Sequence, residues 1–447
     1  MKKTVLHIGL DDIDSPEGGC TTHLASILVE KLSKEALEFI DYPNLIRLNP
    51  NIPWKTRGNG AVALRILVNE NSVDRVINKV LHVVEKYIGE FSKEKSQPSA
   101  VFLTGNIPSK LRWFSRKTVK DIVPLNLAFK VVDKVKAKAI SFNGKRGVIG
   151  ALAAIGEPLD NTDYTFELIA YRVEENYGKP RLIVKESVLE MDRLFGTQTF
   201  LNVDYETGKV LITPHGPDPV LLGIRGENAE IVLEAFKKIK VLEPIERWVI
   251  FRTNQATDMH LAEVKYVEEI KPYMSVILKG YVYEKPKTIR GGHVVFSVSD
   301  SLGDTISCIA YEPTGGFRNI VKQLIPGDVV KVYGGTRPPS PTHEITINLE
   351  KLEILRLAEH IAYRNPKCPN CGKTMKSAGK NKGFKCPNCG FKSKTLSKIC
   401  IKIPRNLRPG LYTPPPRAFR HLMKPLQRYG KEKKIPPKNI IPKWHHP

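Results

Sequence analysis

The stretch HIGLDDIDSPEGGCTTHLA, His7 to Ala25, decides the reading of this chain. Val5, Leu6, Ile8 and Leu10 supply the apolar run of a buried strand. Asp11, Asp12 and Asp14 gather where that strand ends. Gly18 and Gly19 let the backbone turn tightly. Thr21 and Thr22 open a segment in which Leu24, Ile27, Leu28 and Leu32 recur at helical spacing. The order is therefore strand, acidic turn, glycine loop, helix.

Three carboxylates this close repel one another unless something neutralises them. A hard cation held by oxygens, usually Mg²⁺ with bound phosphates, is the common answer. The helix that follows offers free N–H groups and a positive dipole end to an anion. A hydroxyl beside such a site suits a nucleophile or a phosphate acceptor. The competing reading is an ordinary turn with Asp and Ser caps. Neither a Walker A loop nor a Rossmann G-x-G-x-x-G is present.

Working outward, DYPNLIRLNPNIPWKTRGNGA reads as one long loop rich in Pro, Asn and Gly. Loops of this length in compact domains are usually functional. Arg47, Lys55 and Arg57 are its cations, and Asn49 and Asn59 are uncharged polar groups; together they would suit a phosphate cradle. An ordinary surface loop would carry the same residues. Strand AVALRIL, helix VDRVINKVLHVVEKYI and strand SAVFLTG continue an α/β or α+β rhythm. GKRGVIGALAAIG reads equally well as a phosphate loop or as a turn into a small-residue helix. Strands FELIAYR, KVLITP and VLLGIRG, helix ENAEIVLEAFKKI and strand RWVIFRT form a β-rich unit that a ferredoxin-like layer fits. In TNQATDMHL, Asp258 and His260 form a D-x-H, a weak metal or acid–base signal.

From Ser275 the pattern becomes all-β. Five strands with a short helix, FRNIVKQL, between the third and fourth read as an OB-fold. Tyr281, Tyr283, Phe296 and Phe317 are its aromatics, some for the core and some for stacking on bases. Cys368, Cys371, Cys386 and Cys389 then form two C-x-x-C pairs, each followed by glycine. Four thiolates at this spacing read as structural Zn²⁺ in a ribbon. A redox role would need a thioredoxin-like context, which is lacking.

The net charge of +24 is unevenly placed. From Ile361 onward there are 22 Lys or Arg and one acid, Glu432, a net of +21; the first 360 residues carry +3. Nucleic acid is the expected partner of such a segment. The final Pro- and cation-rich residues cannot bury a core of their own, so part is expected to drape over the catalytic domain and part to order only on RNA. Seven cysteines, odd in number and clustered, exclude a secreted disulfide framework. No apolar run is long enough to span a membrane, and the chain opens on a strand rather than a signal segment. A cytoplasmic location and a monomer are expected.

GLDDIDSPEGGCTTHLA, RLNPNIPWKTRGNGA, GVIGALAAIG, FELIAYR, GIRGE and TNQATDMHL, with the OB-like and zinc-ribbon segments, resemble the archaeal isoleucine-tRNA 2-agmatinylcytidine synthetase family over nearly the whole chain. The resemblance implies a ligase that uses ATP to join agmatine to the wobble cytidine of an isoleucine tRNA with a CAU anticodon. It implies contacts to the anticodon loop and the acceptor stem. It also implies a phosphorylated cytidine intermediate and phosphorylation of one threonine, by motif position Thr21.

The expected fold is multidomain α+β. It comprises a kinase-like α/β catalytic domain over 1–135 and a ferredoxin-like domain over 136–262, with shared strands allowed. An OB-fold over 263–357, a Cys₄ zinc ribbon over 358–395 and a basic tail over 396–447 follow. Expected catalytic residues are Asp11, Asp12, Asp14, Thr21, Lys55 and Arg57, with Asp11 and Asp14 on Mg²⁺. Expected nucleotide contacts are Gly18, Gly19, Thr22, Arg47, Asn49 and Asn59. Agmatine carries a guanidinium that wants a carboxylate, and Asp258 is the candidate only by elimination. The alternative function is a non-catalytic single-strand-binding OB-fold and zinc-ribbon protein with an accessory nucleotide-binding domain.

Overall fold

The computed structural model describes residues 2–15, 18–55, 58–91, 96–341 and 343–447. One sheet runs through both N-terminal units. Its strand order is Lys138–Ser141, Ser99–Thr104, Lys3–Asp11 (β1), Gly60–Asn69, Asn44–Arg47, Ile245–Thr253, Thr165–Arg172, Val220–Gly226, Thr199–Phe200. Glu38–Phe39 and His445–His446 join it off this path.

The same split β-α-β-β-α-β pattern occurs twice in that order. The first copy is β1, helix Thr21–Ser33 (α1), Asn44–Arg47, Gly60–Asn69, helix Val73–Phe91 and Ser99–Thr104. The second is Thr165–Arg172, helix Lys185–Phe195, Thr199–Phe200, Val220–Gly226, helix Ala229–Lys238 and Ile245–Thr253. In both, the strands lie across the sheet as fourth, first, third, second. Neighbours are antiparallel except at the seam between copies, where Arg252 and Thr253 run parallel to Asn44 and Leu45. The seam strand Asn44–Arg47 lies inside the stretch read from sequence as one long loop. It is only four residues long and follows Pro43, so its period-2 pattern is too brief to register.

β1 is buried without a break from Leu6 to Leu10 because both faces of the sheet are covered there. Leu6, Ile8 and Leu10 are fully buried and share a core with Leu24 and Leu28 of α1 and with Val80 and Val84 of the next helix. Burying side chains of this size contributes about 1.5–3 kcal/mol each. The other face of β1 carries Gly9 and Asp11, and there helix Gly147–Gly156 lies flat on the strand. A Cβ on Gly9 would collide with the carbonyl of Ala151, and one on Gly150 with the Asp11 carboxylate. GVIGALAAIG is thus the small-residue helix of the two readings, and its glycines permit close approach to β1.

Residues 275–356 close into a five-stranded barrel, in which the first strand pairs with the second and fourth and the third runs parallel to the fifth. Helix Phe317–Val321 sits between the third and fourth strands. Phe296 and Phe317 are core, whereas Tyr281 and Tyr283 are exposed on the first strand. A three-stranded ribbon, Lys376–Ser377, Phe384–Lys385 and Lys392–Ser393, follows.

The C-terminal segment, expected in part to drape over the catalytic domain, does so over most of its length. It is a strap laid across the whole molecule. Gly410–Tyr412 adds to the barrel, Leu422 and Met423 are buried, and His445–His446 pairs with Trp248 and Val249 of the sheet. Trp444 packs edge-on against Phe39 and Tyr42. The strap needs no core of its own because it borrows those already built.

Candidate active site

The acidic loop leaves the C-terminal end of β1, which Gly60–Asn69 separates from the seam strand. Asp12 takes a left-handed φ of 58°, which Asp tolerates better than most residues. Removal from water, with Asp12 and Asp14 beside it, holds the Asp11 carboxyl well above the usual carboxylate range. Asp12 is raised to about 6, chiefly by burial, against the pull of Arg146 and the Gln97 N–H. Arg146 Nε stands 3.8 Å from Asp12, and Gln97 N donates to the same carboxylate at 3.2 Å. Carboxyls pushed up in this way lack sufficient positive charge around them.

Thr21, buried at the start of α1, donates to Asp14 Oδ2 at 2.9 Å. The residue before it, Cys20, is held by a 3.1 Å bond from its N–H to the Tyr87 hydroxyl. His23 joins that hydroxyl at 3.0 Å to Glu246 of the second unit at 2.9 Å. The α1 terminus is thus fixed from behind by side chains of both units. Gly19 turns with φ 70°, and a Cβ there would lie 2.8 Å from the Ile13 carbonyl.

A cavity of about 740 Å³ opens over the seam. Asp11, Asp12, Asp14, Thr21 and Thr22 line one wall. Arg47, Trp54, Lys55 and Asn59 line another, and Glu167, Asp218 and Arg225 face them from the second unit. Glu167 is buried and organises the far wall. It accepts from Arg225 Nε at 2.9 Å and from the Gln255 amide, and lies 3.8 Å from Arg47. Arg47 Nε is buried without a hydrogen-bond partner among the described residues. His421, on the strap, bonds the other end of the Gln255 amide at 3.0 Å. Lys55 donates to the Pro50 carbonyl; burial and the nearby Arg420 and Arg337 lower its pKa.

The structure therefore gathers Asp11, Asp12, Asp14, Thr21, Thr22, Arg47, Lys55 and Asn59 on one cavity. Arg57 lies outside the described residues. Asn49 is a brace: its amide donates to the Tyr273 carbonyl at 3.0 Å and its oxygen accepts from Asn51 at 2.9 Å. Asn59 donates to the Asn49 carbonyl at 2.8 Å. Gly18 and Gly19 shape the turn rather than the cavity wall. Asp258, the candidate by elimination for agmatine, is off the cavity and bound to Lys351, to Tyr429 and to the Lys424 N–H. His260 is fully buried against Glu350 at 2.8 Å, a structural pair. Glu167, Arg225, Gln255 and His421 were not singled out from the sequence. Glu167 stands inside FELIAYR, Arg225 inside GIRGE and Gln255 inside TNQATDMHL, which is the signal in the sequence that points to them; His421 stands in none of these stretches.

In the ribbon, the ligand atoms of Cys368, Cys371, Cys386 and Cys389 all lie within 4.8 Å of one another. Gly372 and Gly390, with φ of 70° and 76°, close the two knuckles, and their N–H groups donate to the Cys368 and Cys386 carbonyls at 2.8 and 3.2 Å. Four sulfurs about 2.3 Å from one ion fit this cluster.

Comparison with known proteins agrees with this layout. Family models described as the TiaS TCKD domain, the TiaS FLD domain and the TiaS C-terminal zinc ribbon domain match residues 7–144, 145–260 and 365–407. The chain is 48% identical over 448 residues to the isoleucine-tRNA 2-agmatinylcytidine synthetase TiaS of Staphylothermus marinus, covering 99% of this chain and 97% of that one. It superposes on a solved complex of TiaS with its isoleucine tRNA and ATP with a TM-score of 0.84 at 42% identity, over 95% of this chain and 97% of that one. A complex of TiaS with the same tRNA, AMPCPP and agmatine matches with a TM-score of 0.81 at 40% identity and the same coverage. Near-full-length identity at this level, with all three domain matches, places the chain in the isoleucine-tRNA 2-agmatinylcytidine synthetase (TiaS) family.

Proposed function

We propose that this chain uses ATP to join agmatine to C2 of the wobble cytidine in an isoleucine tRNA with a CAU anticodon, allowing AUA decoding. The observation that carries the reading is the cavity at the seam. There, one acidic loop with a buried hydroxyl faces Arg47 and Arg225 across a space of about 740 Å³. Family membership supplies the substrates. A bare single-strand-binding module would leave that cavity without a role.

The chemistry follows from the leaving group. The oxygen on cytosine C2 leaves poorly, so an amine cannot displace it directly. Transfer of the terminal phosphoryl group of ATP to that oxygen forms an O–P bond as the P–O bond to the bridging β-phosphate oxygen breaks and the remaining nucleotide leaves. The agmatine amine then attacks C2, forming C–N as C–O breaks and phosphate departs. Asp11 and Asp14 are the residues that would hold Mg²⁺, whose charge offsets that of the phosphates. Arg47, with Lys55 and Arg57 as the resemblance implies, would offset charge that develops during transfer. Thr21, held on Asp14, is the acceptor of a protein-bound phosphate, a dianion that a helix N-terminus favours.

The domain assignment follows the same lines. The first unit, 1–135, is read as the kinase-like catalytic domain and 136–262 as the ferredoxin-like domain. The second copy of the split pattern supports the latter. The barrel and the ribbon are read as an OB-fold and a Zn²⁺ site that hold RNA. The decisive experiment incubates the protein with ATP, Mg²⁺, agmatine and the CAU isoleucine tRNA and measures the mass of the wobble nucleoside. A cytidine that has gained agmatine with loss of water is expected. An unmodified cytidine with ATP unconsumed would overturn the reading.

A further inference from the structure

The family's chemistry explains the acidic loop but gives no role to a histidine that arrives from the far end of the chain. His421 is carried by the strap into the wall of the cavity. Gln255 anchors it, and the anchor fixes its tautomer. Gln255 Nε2 donates to the Glu167 carboxylate, so Gln255 Oε1 is the atom that faces the ring. A carbonyl oxygen only accepts, so His421 Nδ1 carries the proton and Nε2 keeps its lone pair. Nε2 points at the other side of the site. A Cβ placed on Gly58 would lie 2.6 Å from His421 Nε2 and 2.7 Å from Arg47 Nη1, so the ring nitrogen and the guanidinium flank this glycine. The charge of Arg47, then burial and the charges of Arg225 and Lys55, hold the ring's pKa well below the ordinary histidine value and favour the neutral form.

We propose that His421 is a positioning residue of the catalytic cavity: its Nε2 lone pair orients the Arg47 guanidinium toward the acidic loop, so that the C-terminal strap completes the site. Arg47 needs such support. Its carboxylate neighbour Glu167 is 3.8 Å away and already shared with Arg225 and Gln255. A neutral acceptor holds a guanidinium without cancelling its charge, leaving that charge available to phosphates. The proposal rests on the function given above, with Arg47 acting on phosphate.

The test uses the full-length protein, tRNA, ATP and agmatine, and reads kcat and KM for tRNA in His421→Ala, His421→Asn and His421→Gln. Asn can keep the bond to Gln255 but lacks an acceptor at the Nε2 position; Gln can reach that position. His421→Ala and His421→Asn should lower kcat at least about tenfold, the size of effect that supporting residues around a site commonly have, with KM for tRNA little changed. His421→Gln should recover most of the loss. His421→Ala placed on Arg47→Ala should cost little beyond Arg47→Ala alone, because the two act as one unit. Wild-type kcat in His421→Asn would overturn the proposal, as would additive losses in the double variant. If the wild-type protein itself makes no agmatinylated cytidine, the functional reading fails instead, and the two failures are distinct.

Discussion

The zinc ribbon and the strap that follows it are equally basic in sequence and opposite in structure. In the ribbon, Lys373, Lys376, Lys380, Lys382 and Lys385 are all exposed, and none forms an ion pair among the described residues. In the strap several cations are turned inward, while Lys398, Arg408, Lys431, Lys434, Lys438 and Lys443 stay exposed. Arg428 is fully buried between Asp163 at 3.0 Å and Glu227 at 2.7 Å. Arg417 spans Asp204 at 2.6 Å and Glu206 at 2.7 Å, and Lys433 reaches Glu227 at 2.8 Å. Arg405 is clamped on buried Asp328. A charge count over the last 87 residues therefore overstates the surface offered to RNA. Part of the strap's share of +21 is neutralised by acids of the body, whereas the five ribbon lysines are open.

The largest expected effect comes from breaking the strap's deepest anchor. Arg428→Met leaves Asp163 and Glu227 buried and short of counter-charge, and loss of one partner from such a network costs about 3–5 kcal/mol. Thermal denaturation should show a clear fall in Tm, and limited proteolysis should cut within 403–447. A Tm equal to wild type would mean that the strap's ion pairs are dispensable. Changing Lys376, Lys380, Lys382 and Lys385 together to Gln should do the reverse. Tm should hold, while tRNA affinity falls and the slope of log K against log salt flattens by roughly 0.7–0.9 for each phosphate contact removed. An unchanged slope would move the RNA contacts off the ribbon.

A smaller effect is expected from acid. Burial alone would raise Glu227, but the hydrogen bonds from Arg428 and Lys433 outweigh it and hold its pKa below the ordinary 4.5. Asp204, held by Arg417, likewise lies below 3.8 despite its burial. Both are carboxylates with lowered folded values. The stability they contribute is fully present above the unfolded pKa and is lost as pH falls through the folded one. Strap amides should therefore lose hydrogen-exchange protection, corrected for intrinsic rates, only below about pH 4. Loss of protection between pH 5 and 7 would point to a different anchor.

What could be read from the sequence was what is local. β1, the acidic loop, α1 and the four cysteines each sit within a few residues of one another, and spacing alone carries their chemistry. The five barrel strands announce themselves by alternation. The seam strand Asn44–Arg47 did not, because four residues give too short a period. The far wall of the cavity did not either: Glu167, Arg225, Gln255 and His421 come from four separate segments, and only the sheet and the strap bring them together. Asn49 braces its loop while Asn59 braces it and also lines the cavity, a difference sequence does not carry because the two amides are the same letter. The strap was hidden for a related reason, since a cation paired with a distant acid reads as a free one.

The division between ribbon and strap is tested most directly by calorimetric ATP binding, in the absence of tRNA, to two full-length proteins. One carries the four Lys→Gln changes in the ribbon; the other carries Arg428→Met and is assayed below its own Tm. ATP affinity should be unchanged in the first and at least about tenfold weaker in the second, the loss being that of a site whose supporting shell has been loosened. Wild-type ATP affinity in a folded Arg428→Met protein, or a loss of ATP binding in the ribbon variant, would contradict the assignment of the strap to the active site and of the ribbon to the RNA.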